Sequence, residues 1–238
     1  MARQLLLLLM LLSWLTLFSQ KKVDYVLYLI GDTGAPKIDS PDPVLTALEK
    51  QLEKESNSSG IIYLGDNIYH NGMTPQLNTK ERQVAEQKMK RQLDVLQGFK
   101  GKVFFVPGNH DWNNARPGGL EYIRAQEDFI EDYLERGDVF LPDEGCPGPE
   151  VKKLDNDVIF IAMDSQWWLH PHEDKEEFDE CHNKNTYEII QELKDKLDKY
   201  DDKFVVIAFH HPLYTQGKHN GSFTIKEMLF PLTELRSS

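Results

Sequence analysis

Cysteine is nearly absent: 238 residues contain only Cys146 and Cys181. Neither stands in a Cys-x-x-Cys pair, so a thiolate metal motif is excluded and no thiol catalysis is expected. Basic residues are outnumbered, 27 Lys and Arg against 39 Asp and Glu, for a formal net charge of −12. No Lys/Arg cluster is interleaved with aromatics, which argues against nucleic acid as a partner. A solvated acidic surface accounts for most of the carboxylates, and bound cations would neutralise some. The N-terminal apolar run is shorter than the roughly 20 residues a spanning helix needs, so no stable membrane span is expected. No cysteine follows that run, so a lipid-attached N-terminus is not indicated. There is no internal repeat, and no linker that would divide the chain.

What is present suits one substantial core: 40% hydrophobic and 28% charged residues, an ordinary globular balance. Arg3 precedes an apolar stretch at residues 5–12, which continues through Trp14, Leu15, Leu17 and Phe18 to a polar exit at Ser19 and Gln20. This pattern reads as a signal peptide over residues 1–20, with residues 21–238 as the domain, and the protein is expected to be exported to periplasm, cell surface or medium. The alternative reading is an N-terminal membrane anchor. Export permits a disulfide between Cys146 and Cys181, but their spacing does not show that they meet.

From Lys21 onward, apolar runs of strand length alternate with amphipathic stretches. The strand candidates are 26–30, 61–64, 103–106, 158–163 and 204–209, near-continuously apolar as strands covered on both faces are. A helix between the second and third places Val84, Met89, Leu93 and Leu96 on one face, with Asn78 and Glu81 resembling a capping box. Another carries Ile190, Leu193, Leu197 and Tyr200 on one stripe, capped by Asn185. Residues 43–55 and 119–134 read as two more helices. The alternation implies an α/β layered fold with a mainly parallel central sheet. Residues 137–157, rich in Pro, Gly and acids, read as a surface excursion, and the charge run 173–180 as a solvated face.

The chemistry lies where the strands stop. The first ends in Gly31-Asp32-Thr33-Gly34, the second in Gly65-Asp66-Asn67-Ile68-Tyr69-His70, the third in Pro107-Gly108-Asn109-His110-Asp111-Trp112, and the last in His210-His211-Pro212. Each alone reads as a turn, a helix cap or a surface histidine. Four buried strands all ending in metal-capable side chains imply one site, because ligands of parallel sheets bind outside the carboxyl ends of the strands. Glycines before Asp32, Asp66 and Asn109 allow tight turns and close backbone approach. Two cations about 3.5–4 Å apart would clamp a phosphate, acidify a bridging water and stabilise an in-line transition state.

These motifs resemble the calcineurin-like metallophosphoesterase superfamily and, within it, the purple acid phosphatases. The resemblance runs from Asp32 to His210; Gly65-Asp66-Asn67-Ile68-Tyr69 matches that group's G-D-x-x-Y, and the first motif lacks the wider superfamily's His two residues after Asp32. It implies an α/β/β/α sandwich and a dinuclear centre hydrolysing a small phosphorylated substrate. Asp66 would bridge both metals, and Asp32 and Tyr69 would bind the first, a phenolate favouring Fe(III). Asn109 and His210 would bind the second, which would be Fe, Zn or Mn. His110 would serve the phosphoryl or leaving-group oxygens, with Asp111 orienting and charging it. His219 falls where small members carry a loop His near the leaving group, and is assigned an acid or substrate role.

His211 reads as a supporting neighbour rather than a ligand. Trp167 and Trp168, after another strand, read either as a substrate wall or as core. His70, His170 and His172 lack the strand-end context and receive no role. The family's closing G-H-x-H is not found after His219, so the chain is expected to be a fragment continued by downstream polypeptide that supplies one ligand to each metal. A helix-like stretch at 223–229 comes near its end. Competing functions are a phosphodiesterase or nucleotide hydrolase, and a metal- or phosphate-binding module of a larger surface protein.

Overall fold

The computed structural model describes residues 23–169, 181–183 and 185–213. The expected leader at 1–20, the charge run at 173–180, His170, His172, His219 and the stretch at 223–229 lie outside the described residues. Three parallel strands form the first sheet, in the order β1 (Val26–Ile30), β2 (Ser59–Tyr63), β3 (Lys102–Phe105). The second sheet, in the order β4 (Glu150–Lys153), β5 (Val158–Ala162), β6 (Phe204–Ala208), pairs β4 antiparallel and β6 parallel to β5.

Why the runs in β2, β3 and β5 are apolar on both faces is visible in the alternation of their side chains. Ile61, Tyr63, Val103 and Phe105 join a cluster with Leu45 and Leu52 of α1 (Pro43–Leu52), Met89 and Leu93 of α2 (Lys80–Asp94), and Ile123 and Ile130 of α3 (Gly119–Leu134). Ile62, Phe104 and Val106 join Phe160, Ala162 and Ala208 of the second sheet instead. Phe104 and Phe160 meet there with ring centroids 5.2 Å apart. Ile159 and Ile161 point away from that inter-sheet layer, into the cluster that holds Ile189 of α4 (Thr186–Lys199). The order of layers is therefore helix, sheet, sheet, helix. Each fully buried Ile or Phe contributes about 1.5–3 kcal/mol from leaving water.

Three local expectations need correction. Residues 137–157 are no mere excursion: Val139, Phe140, Leu141 and Leu154 are buried, Phe140 bridges to Phe105, and β4 lies within the segment. Its Pro and Gly content reflects tight turns between short buried pieces. The cap of α2 is Thr79, whose hydroxyl accepts from the Arg82 N–H at 3.1 Å, while Asn78 takes a left-handed conformation before it. On α4 the buried centre is Ile189, with Leu193 and Tyr200 beside it, while Ile190 and Leu197 are more than one-third exposed. Asn185 does cap that helix, accepting from the Glu188 N–H at 3.0 Å. Cys146 and Cys181 form a disulfide, tying the loop before β4 to the approach to α4.

Candidate metal centre

Beyond the strands the backbone ladder continues and sets the site. Leu64 donates to the Ile30 carbonyl, Asp32 to Gly65 and Val106 to Tyr63, so three strand ends remain in step where the motifs begin. Asp32 (φ 58°) and Asp66 (φ 54°) both adopt the left-handed region. Aspartate tolerates that region better than most residues, yet it costs on the order of 1–3 kcal/mol and persists only where the surroundings enforce it. Here the enforcement is close packing. A Cβ on Gly108 would lie 2.4 Å from Asp66 Oδ1, and one on Gly34 would lie 2.6 Å from the Asp66 carbonyl. Gly31, directly before Asp32, is less confined, with its nearest neighbour at 3.4 Å.

The five expected donors, Asp32, Asp66, Tyr69, Asn109 and His210, line one cleft of about 510 Å³, and His110, His211 and Pro212 complete its wall. Ligand atoms of Asp32, Asp66 and His210 all lie within 4.8 Å of one another. Asp66 is buried at the centre, with His210 Nε2 3.4 Å from one carboxylate oxygen and His110 Nε2 3.9 Å from the other. The His110 N–H donates to Asp66 Oδ1 at 3.0 Å.

Both imidazoles are oriented through their other nitrogen. His210 Nδ1 stands 2.8 Å from the Leu64 carbonyl oxygen and His110 Nδ1 2.6 Å from that of His70. A carbonyl only accepts, so each Nδ1 carries a proton, and with Nδ1 so held any lone pair the ring offers is on Nε2, toward the cleft. For His210 that is the form a cation requires, and the backbone carbonyl behind it is a usual partner of a metal-binding imidazole. Oxygen donors with one imidazole suit hard-to-borderline cations. The donor set therefore fits a metal.

Tyr69 donates its hydroxyl to Asp32 Oδ1 at 2.8 Å. Burial, that hydrogen bond and the charge of Asp66 together hold the phenol far above its ordinary pKa.

Asp111 does not orient His110. It is buried and accepts backbone N–H groups from Asn67 (3.0 and 3.1 Å), Ile68 (3.1 Å) and Gly108 (2.8 Å), and the Asn67 side-chain amide at 3.1 Å. Its carboxylate splices the Asp66 turn to the Asn109 turn. Burial, then the charge of Asp66, push its pKa up to about 6 against the pull of those N–H donors. The orienting group is the His70 carbonyl, which a motif search keyed to side chains passes over. Trp167 and Trp168 belong to the core side of the molecule, not to the cleft: Trp167 is buried, and Trp168 packs against the main cluster with its indole N–H on Thr186 Oγ1. Next to them, Asp164 accepts the Trp112 indole N–H at 2.7 Å, and burial pushes it up to about 7. His211 faces the cleft, with Ser165 Oγ 2.8 Å from its Nδ1.

A family model described as calcineurin-like phosphoesterase matches residues 25–233. Comparison with curated proteins gives no match. Among solved structures, a protein of unknown function from Aquifex aeolicus is similar at 12% identity, with 82% of each chain covered and a TM-score of 0.32. A likeness that remote carries no argument.

Proposed function

The chain belongs to the calcineurin-like phosphoesterase family, and from that premise we propose that it is an exported hydrolase of small phosphomonoesters, of the purple acid phosphatase kind. The observation that carries the reading is the arrangement around Asp66: a buried carboxylate flanked by two imidazoles, each held by a backbone carbonyl at Nδ1. Such a carboxylate can be shared by two cations, with Asp32 and Tyr69 on one side and Asn109 and His210 on the other. When bound, the pair would polarise the phosphoryl oxygens and acidify a water.

The chain's own residues supply the remainder. His110 Nε2 opens on the cleft beside Asp66, placed to hold a proton and hand it to the departing alkoxide. Asp111 keeps the turns that carry Asp66 and Asn109 in register. Tyr69 can bind as a phenolate only by surrendering a proton that its acidic neighbours strongly retain. A trivalent cation competes for that oxygen best, which supports Fe(III) in the first site with Fe, Zn or Mn in the second. Export is supported by the Cys146–Cys181 disulfide, since such bonds persist in oxidising compartments. Among the described residues, no helix is long and apolar enough to cross a membrane.

The test is metal analysis together with a panel of phosphomonoesters and phosphodiesters. Two bound metals, monoester turnover and a visible charge-transfer band that Tyr69→Phe removes are expected. A colourless zinc or manganese protein would overturn the purple-phosphatase assignment while leaving the metal centre. Metal uptake without turnover on any ester would make the chain a binding module.

A further inference from the structure

Helix α2 carries a fully buried amide that a helix packing against a sheet does not need for its core. Gln92 has no exposure, and both ends of its side chain are spent on different strand-end turns. Its Oε1 accepts the Thr33 hydroxyl at 2.5 Å, and its Nε2 donates to the Asn67 carbonyl at 2.8 Å. Thr33 is the residue after Asp32, and Asn67 the residue after Asp66. One helical turn earlier, on the same face, the Lys88 ammonium donates to the Tyr69 carbonyl. We infer that Gln92, aided by Lys88, is a positioning residue that fixes the spacing of the Asp32 and Asp66 turns; this rests on the metal-centre reading above.

Burying an amide costs several kcal/mol unless its hydrogen bonds are made, and besides a longer bond from Nε2 to the Lys88 carbonyl (3.4 Å) within its own helix, those two bonds are what satisfies it. The bonds fall one residue beyond two aspartates held in the left-handed region, where outside constraint is needed to keep the backbone strained. The helix is itself a firm reference, because Ala85, Met89 and Leu93 pin it to the core. A planar amide bonded at both ends has one length and one orientation. It therefore translates the position of the helix into a fixed separation between the two carboxylates.

The test is calorimetric titration of zinc and of manganese into the metal-stripped full chain, at temperatures where circular dichroism shows each variant folded. Gln92→Met keeps the length and removes the amide, and Thr33→Val removes only the hydroxyl from a half-buried position. Both are expected to weaken metal uptake about 10–100-fold, the usual cost of losing a group that orients metal ligands, and Thr33→Ser is expected to restore it. If Gln92→Met does not fold, the Thr33 pair decides alone. Wild-type affinity in a folded Thr33→Val, with or without a lowered melting temperature, overturns the inference and leaves the metal centre standing. A wild-type chain that takes up neither ion overturns the metal centre, and the inference with it.

Discussion

His110 Nδ1 stands 2.6 Å from the carbonyl oxygen of His70, and that contact sets which nitrogen of the His110 ring can work in the cleft. Because the ring is held by backbone, its Nε2 is the nitrogen available for proton transfer beside Asp66. His110→Ala should therefore retain metal and lose turnover by about 10²–10⁴-fold, the usual contribution of a general acid or base. Parallel metal analysis and kinetics decide it. A metal-loaded variant with wild-type kcat would remove His110 from the chemistry.

Asp111→Ala should act quite differently. It strands backbone N–H groups of Asn67, Ile68 and Gly108 in a buried place and leaves the Asn67 amide with only the Val106 carbonyl to donate to. The expected loss is about 3–5 kcal/mol in denaturant unfolding, accompanied by weaker metal uptake. A loss below about 1 kcal/mol would show that the two turns are held by something else.

The metal-free protein should lose stability as the solution turns from mildly acidic to neutral. Burial raises Asp111 to about 6 and Asp164 to about 7, so in the fold each keeps a proton that the unfolded chain has already released. That contribution is fully present below the ordinary carboxylate pKa near 4 and is lost as pH climbs through about 6–7, with a slope of up to about 1.4 kcal/mol per pH unit for each group. Unfolding free energies measured from pH 4.5 to 8 test this. Asp164→Asn should make the slope shallower, whatever it does to the absolute level, and an unchanged slope would refute the assignment.

Replacing both cysteines with alanine should cost about 4 kcal/mol, the loop-closure value for a crosslink spanning 35 residues. The comparison is with the oxidised parent in denaturant, and dithiothreitol treatment of the parent should match it. Equal stability of parent and double variant would mean that the bond is not formed in solution.

The strand ends are legible because their signals are local: an apolar run followed within three residues by a carboxylate, amide or imidazole. Asp32, Asp66, Asn109 and His210 meet in one cleft for that reason, and Tyr69 reaches it from the Asp66 turn. What was illegible depends on partners distant in sequence. Asp111 next to His110 suggested a charged pair, but side chains of consecutive residues leave the backbone in different directions, and Asp111 turns inward. The carbonyl of His70 has no side-chain signature at all. Gln92 belongs to no motif, and its meaning arises only when Thr33 and Asn67 approach. On α4, Leu193 and Tyr200 of the expected stripe do pack on the core, but its buried centre is Ile189 rather than Ile190, because both are apolar and only packing distinguishes them.

The five candidate donors hang from four strand ends, and Asp32 and His210 come from different sheets. No short peptide cut from this chain could gather them, so cation capture is a property of the assembled molecule alone. Thermodynamic linkage then makes the ion a fastener between the sheets. At a free concentration one hundred times the dissociation constant it would add about 2.7 kcal/mol against unfolding. The melting temperature of this protein should thus read out how much metal its surroundings supply, and scarcity would be felt first as lost endurance.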